Sequence, residues 1–220
     1  MAGEVGVEPT PTVLETGILP LYYSPIYALL FYLKVDNSAR YNIYMKDIYI
    51  DRIRPEYYES IGTLRSELFD CGSSFDGSSG LDRFDDIEKW HLNCQLFERH
   101  DTLPPAYSIG FQYVCMQEGE AVGMADIRPE AYDHPYLRLF GGHIGYCVRP
   151  SRRKEGIGTL LLQGMLLIAK EEFELKQVLV TCLKDNQASK KVIMKNGGVY
   201  EEDVYYPPED KYLERYIISL

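Results

Sequence analysis

Gly156 and Gly158 stand one residue apart in the stretch SRRKEGIGT (151–159), behind Arg152, Arg153 and Lys154 and ahead of the apolar run LLLQGMLLIA. Glycine lacks the Cβ that keeps a ligand away from the backbone, and the first N–H groups of a helix have no partner within it. A helix opening here offers unpaired donors, the positive end of its dipole and cations beside them, which suits a phosphate or diphosphate. Three phosphate-binding patterns compete. A Walker loop requires Lys and Ser/Thr after its last glycine, whereas Gly158 is followed by Thr159 and Leu160. A dinucleotide loop requires a third glycine where Leu161 stands. The third pattern, R-x-x-G-x-G, is met by Arg153, Gly156 and Gly158. The same residues also suit a plain glycine-rich turn with solvated cations, so the surrounding elements have to decide.

Those elements are legible. HIGYCVRP (143–150) reads as a strand, a helix runs from Gly156 to about Phe173, and QVLVTCL (177–183) is a continuous apolar run that fits a strand buried on both faces. A further helix over 185–198 has a start cap at Asp185/Asn186 and a glycine stop. A strand–helix–strand unit over 143–183 implies a parallel, right-handed crossover. Upstream, KDIYIDRI alternates like a half-buried strand, Pro55 opens a helix over about 55–69, CGSSFDGSSG (71–80) is a flexible loop, and 81–100 reads as a second amphipathic helix with Phe84, Ile87/Trp90 and Leu92 or Cys94/Leu96 inward. AYSIGFQYVCM and AVGMADI flank QEGE as a hairpin with a turn of about four residues. VYEEDVYY and ERYIISL close the chain around PPEDK. The order β-α-α-β-β-β-α-β-α-β-β predicts an α/β fold, a mixed twisted sheet with helices on both faces.

The composition narrows the function classes. A chain of 220 residues holds one core of good size. A net charge of −10 disfavours a nucleic-acid partner, which would want a basic face, and tolerates a cationic small substrate. Five widely spaced cysteines without a CxxC argue against a disulfide framework or zinc site and for a reducing, cytoplasmic compartment. The four histidines form no HExxH pair, so no metal is expected. Residues 1–44 read differently. The apolar stretch 18–35 carries Pro20 and Pro25 and lacks a basic flank, which disfavours a membrane span or a signal peptide. We expect 1–44 to be an extension outside the fold, with Met45 as the true start and 45–220 as the domain.

The segment HIGYCVRPSRRKEGIGTLLLQGMLLIAK resembles the acyl-CoA-binding segment of the GNAT superfamily of N-acyltransferases, and VLVTCLKDNQASKKVIMKNGG resembles that family's next strand and N-x-x-S helix. Together with GGHIGY and VRPS, the motifs look like those of a bacterial group of predicted acetyltransferases; the resemblance is specific over about 107–220. It implies acetyl-CoA in a cleft between two splayed parallel central strands and direct acetyl transfer to an amine, on a small molecule or a peptide, in a ternary complex without a metal. Carried onto this sequence, it implies that the backbone of Cys147, Val148 and Arg149 pairs with the pantetheine arm. Arg153, Lys154, Glu155, Gly156, Ile157, Gly158 and Thr159 would wrap the pyrophosphate, with Asn186 and Ser189 beside the arm. His143, heading the strand toward the acyl site and titrating in the right range, becomes the candidate base, with Asp126 and Glu130 behind it.

This sequence departs from the family's pattern in three places. Ile193 stands where a tyrosine acid is common, Gly197-Gly198 replaces the usual G-F, and Glu155 puts an acid in a basic loop. The acid role is thereby open to Tyr200 or Tyr205. Cys147 and Cys182 lie in apolar strands and read as buried small hydrophobes rather than nucleophiles. The alternatives are a non-catalytic acyl-CoA-binding sensor, a membrane-associated protein anchored by 18–34, and a Rossmann-type nucleotide binder. A homodimer stays open, as does the acceptor's identity.

Overall fold

The computed structural model describes residues 48–220 and, ahead of them, the backbone of three short strands, Ile18–Pro20 (β1), Phe31–Val35 (β2) and Tyr41–Met45 (β3). These three join in antiparallel succession to Ile48–Arg52 (β4). The expected extension over 1–44 otherwise falls outside the described residues, as does most of the apolar segment 18–34. Among the described residues no helix is long and apolar enough to cross a membrane.

β4 pairs with Phe111–Gln117 (β5), β5 with Glu120–Ile127 (β6) and β6 with Ile144–Val148 (β7). A second sheet holds Gln177–Leu183 (β8), Lys211–Ser219 (β10) and Val199–Tyr206 (β9), with β10 in the middle. Every ladder in both sheets is antiparallel. The expected central pair is β7 and β8, and among the described residues they share no ladder. They meet at one point, where the His143 N–H donates to Leu179 O at 2.7 Å and the Leu179 N–H donates to His143 Nδ1 at 3.0 Å. Beyond that clasp the sheets part. Among the described residues the splay leaves one edge of β7 without a strand neighbour.

Helices cover both faces because the strands alternate. Tyr113 and Cys115 of β5 point into a core shared with Ile157–Glu171 (α3), while Val114 and Met116 point into a second core under Tyr58–Asp70 (α1) and Ile87–Leu96 (α2). A bulge where Met116 pairs with Ala121 shifts the alternation in β6, so Ala121 and Met124 face α1 while Val122 and Ala125 face α3. The β5–β6 turn is shorter than expected. Gln117 pairs with Glu120, and Glu118 and Gly119, with φ of +50° and +83°, form a two-residue turn whose twist matches the strands.

The helix expected over 81–100 is split. A single turn, Leu81–Arg83, ends at Phe84, which is extended; Asp86 then caps α2 by accepting from the Lys89 N–H at 3.1 Å. The break resets the helix phase. Trp90 and Cys94 are buried, whereas Leu92 and Leu96 are 55% and 43% exposed. The last helix is Gln187–Lys195 (α4), capped by Asn186, whose side chain accepts from the Ser189 N–H at 3.0 Å.

Candidate active site

The gap beyond the His143–Leu179 clasp is a cavity of about 690 Å³ between β7, the start of α3, the start of α4 and the loop after α1. Its wall contains ten of the twelve residues expected to bind the cofactor: Cys147 and Val148, the run Arg153, Lys154, Gly156, Ile157, Gly158 and Thr159, and Asn186 and Ser189. The two glycines serve different ends. Gly156 has φ +86° with open space where a side chain would point, so it sets the turn into α3. Gly158 has ordinary φ, but a Cβ there would stand 3.3 Å from Val148 Cγ2 and 3.6 Å from Val192 Cγ2, so it lets the helix close on β7 and α4. Gly156 O accepts from the Thr159 and Leu160 N–H groups, at 3.0 and 3.2 Å. As at any helix start, the Ile157 and Gly158 N–H groups precede the first helical bonds.

Arg149 and Glu155 do not line this cavity. The Arg149 guanidinium turns the other way and pairs with Glu67 of α1 at 2.7 Å. The Ser151 N–H joins the same carboxylate at 3.1 Å, and these hydrogen bonds hold the Glu67 pKa down at about 2. The Arg149 N–H is also spent, donating to Val122 O at 2.9 Å. The β6–β7 register follows from that bond. Cys147 and Arg149 face β6, so the backbone groups of Tyr146 and Val148 face the free edge. Arg153 already donates to Val148 O at 3.3 Å from that side. Glu155 is neutralised locally by Arg152, with a closest approach of 3.0 Å.

His143 has a different place from the one expected. It is buried, lines neither this cavity nor the one described next, and spends Nδ1 on the Leu179 N–H. Burial, followed by the nearby Arg128 charge, lowers its pKa to about 4. A neutral histidine holding β7 against β8 fits these facts better than a base. Tyr200 and Tyr205, the sequence candidates for the acid, lie exposed on β9 and bond to Asp203 and Asp210 at 3.0 and 2.8 Å. Ile193 is fully buried and packs on Gly198, where a side chain would overlap it. This contact explains why a small residue stands at 198.

Sequence reading missed Tyr146. It lines the cavity, its hydroxyl lies 2.8 Å from Ser189 Oγ, and burial pushes its pKa up to about 12. The alternation within IGYCV marks it, since it shares the free edge with Val148. Cys147 and Cys182 are buried, and burial pushes their thiols up to about 12 and about 11, which agrees with a packing role.

A second cavity, about 620 Å³, opens on the other side of the glycine–serine loop. It is lined by aromatic residues of the 81–110 region and by Asp126 and Arg128 at the end of β6. The loop's centre is fastened down, although its composition suggests a free lid. Gln112 Nε2 donates to Gly77 O at 2.8 Å, and Trp90 Nε1 donates to Ser78 O at 2.9 Å. The Gly77 backbone lies against Gly145 of β7, where the two cavities approach each other. Asp126 sits at the same place. Its Oδ1 accepts from the Gly145 N–H at 3.1 Å and its Oδ2 pairs with Arg128 at 3.0 Å. Burial raises the Asp126 pKa, with Arg128 acting against it. Glu130, the other carboxylate candidate, pairs with His100 on the surface at 3.1 Å.

Comparison with known proteins agrees with this fold. No functionally curated protein matches the chain by sequence. Among solved structures, the ribosomal-protein-S5-alanine acetyltransferase from Vibrio fischeri matches with a TM-score of 0.61 and 16% identity, covering 81% of this chain and 96% of that one. The ribosomal L7/L12 alpha-N-protein acetyltransferase RimL, in complex with coenzyme A, matches at 0.59 and 15%, covering 80% and 95%. A chimera of the spermidine N-acetyltransferase SpeG from Vibrio cholerae and hSSAT matches at 0.54 and 13%, covering 79% and 96%. The family model for the acetyltransferase (GNAT) domain matches residues 81–199, more than half of the chain, which therefore belongs to the GNAT family of acetyltransferases.

Proposed function

We propose that the protein transfers an acetyl group from acetyl-CoA directly to an amine, with the donor in the cavity between β7 and α4 and the acceptor in the cavity lined by Asp126. The observation that carries this reading is the meeting of three features in one cavity: the unpaired start of α3 at Gly156–Gly158, the cations Arg153 and Lys154, and the free edge of β7. The first two suit a diphosphate and the third suits an amide-bearing arm. That the RimL relative holds coenzyme A supports the donor's identity.

On this reading the amine nitrogen attacks the acetyl carbon, the carbon–sulfur bond breaks, and two protons have to be managed. Asp126 takes the proton from the nitrogen. It lines the acceptor cavity, and a buried carboxylate with a raised pKa is a better base than a solvated one. The Val148 N–H faces the developing oxyanion. The departing thiolate is met by the hydroxyl pair of Ser189 and Tyr146. The relatives are named for acceptors that present an amine, the α-amino group of a ribosomal protein and spermidine, which supports N-acetylation as the reaction class. The domain that does this spans 45–220; a chain beginning at Met45 is expected to fold and to bind acetyl-CoA as the full chain does, and loss of folding would overturn that boundary.

Thermal melting with and without acetyl-CoA tests the donor site. A ligand at about 100 times its Kd stabilises the native state by roughly 2.7 kcal/mol, a rise of a few degrees. We expect that rise for the native chain and not for Gly156→Glu. A well-folded native protein that does not shift would sink the reading.

A further inference from the structure

The acceptor cavity has the opposite charge balance to the chain that contains it. The protein carries a net charge of −10, yet the cavity wall holds two guanidinium groups, Arg83 and Arg128, against one carboxylate, Asp126. Arg128 is used within the fold. It pairs with Asp126 and donates to the carbonyl oxygens of Gly141 and Gly142 at 3.0 and 3.1 Å. Arg83 is not so used. It is exposed on the wall and among the described residues has no acidic or carbonyl partner. A polycation would have to enter past that charge, toward a carboxylate already neutralised by its neighbour.

Four aromatic rings face the rest of the wall, beside the polar side chains of Ser79, Asn93, Ser108 and His134. Phe84, Phe97, Tyr107 and Tyr136 line it, with Phe97 and Tyr107 edge-to-face at 5.2 Å between ring centres. Gln112 also lines it and is 2% exposed. Its Nε2 is spent on three carbonyl groups, those of Gly77, Tyr113 and Ala125, while its Oε1 has no donor among the described residues. Buried acceptors are rarely left unmet, and among the described residues this is the buried side-chain polar atom without a partner.

Resting on the acetyltransferase reading, we infer that the acceptor is a small amine that also carries a carboxylate and an apolar or aromatic side group, the pattern of a free hydrophobic amino acid, and that Arg83 selects it by holding the carboxylate. The amine then lies toward Asp126 and Gln112, the side group against the rings, and the anion at the rim. A polyamine lacks the anion, and so does the N-terminal residue of a peptide, whose carboxyl group is an amide.

The experiment measures thiol release from acetyl-CoA with L-phenylalanine and L-leucine, with their C-terminal amides, and with spermidine. The amides keep the shape and lose the anion; their amine is also less basic, which offers more free nucleophile and works against the preference expected. We expect kcat/KM for the amino acids to exceed that for the amides at least tenfold and to exceed that for spermidine further. Arg83→Glu should abolish the preference through KM, and Arg83→Lys should restore part of it; Arg83 is exposed, so melting of both variants should match the native chain. Amides or spermidine used as well as the amino acids would overturn the inference, as would no turnover of the amino acids while acetyl-CoA still raises the melting temperature. That second result leaves the donor site standing. Absence of both turnover and the acetyl-CoA shift removes the acetyltransferase reading and this inference with it.

Discussion

Gly77 and Gly145 face each other backbone to backbone where the donor and acceptor cavities approach: a Cβ on Gly145 would stand 2.9 Å from Gly77 N and 2.7 Å from Asp126 Oδ1. Neither position has room for a side chain, and Gly77 also has φ +68°, which strains any other residue. Gly77→Ala should therefore destabilise the protein by roughly 2–4 kcal/mol, from overpacking and left-handed strain together. Because the donor cavity keeps its glycines and cations, the variant should retain its acetyl-CoA melting shift while amine turnover falls. Equal loss of both would show that the contact does not separate the two cavities.

Tyr146 and Ser189 are the hydroxyls placed to meet the leaving thiolate. Removing a group that moves a proton in the transition state commonly costs two orders of magnitude or more in rate. Ser189→Ala and Tyr146→Phe are expected to lower kcat about 100-fold and about tenfold, with KM for acetyl-CoA little changed. A rise in KM at constant kcat would make them binding groups only.

The position of His143 gives a prediction in pH. Its folded-state pKa, about 4, lies below the ordinary value of 6.5, so the unfolded chain binds the proton first. The stability it contributes is complete above about pH 6.5 and is lost as pH falls toward 4, with a limiting slope of about 1.4 kcal/mol per pH unit. His143→Gln should flatten this part of the stability curve and lower the plateau, while leaving the pH profile of kcat in shape. A shift in the kcat profile itself would return His143 to the chemistry.

Glu67 ties α1 to the turn after β7 through Arg149 and Ser151. Its pKa is lowered to about 2, so its contribution is present above the ordinary carboxylate range, near 4.5, and fades as pH falls toward 2. Glu67→Gln should blunt acid unfolding in that window and weaken acetyl-CoA binding a few-fold by loosening the turn that carries Arg153. An unchanged acid limb would mean that the pair is screened by solvent, as exposed pairs often are.

The sequence by itself determined the elements that repeat a pattern and the loop that breaks one. The 3.6-residue stripe of α3, the alternation of β4 and the continuous apolar run of β8 are local properties, and so is the backbone freedom of Gly156. The family resemblance added the twelve residues expected to bind the cofactor, and ten of them line one cavity. Only the tertiary structure decided which way a side chain or backbone group turns. Arg149 is adjacent to the cavity in sequence, but a β strand sends alternate backbone groups to opposite edges, and the β6 register assigns its N–H to Val122 and leaves Glu67 within reach of its guanidinium. His143 was drawn into the core by Leu179, 36 residues away, and no local pattern records that contact. Likewise Gly77 and Gly145 each read as an ordinary loop or strand glycine. Their meaning as a pair comes from the α1–α2 connection folding back onto β7, a contact between distant segments that no spacing along the chain can show.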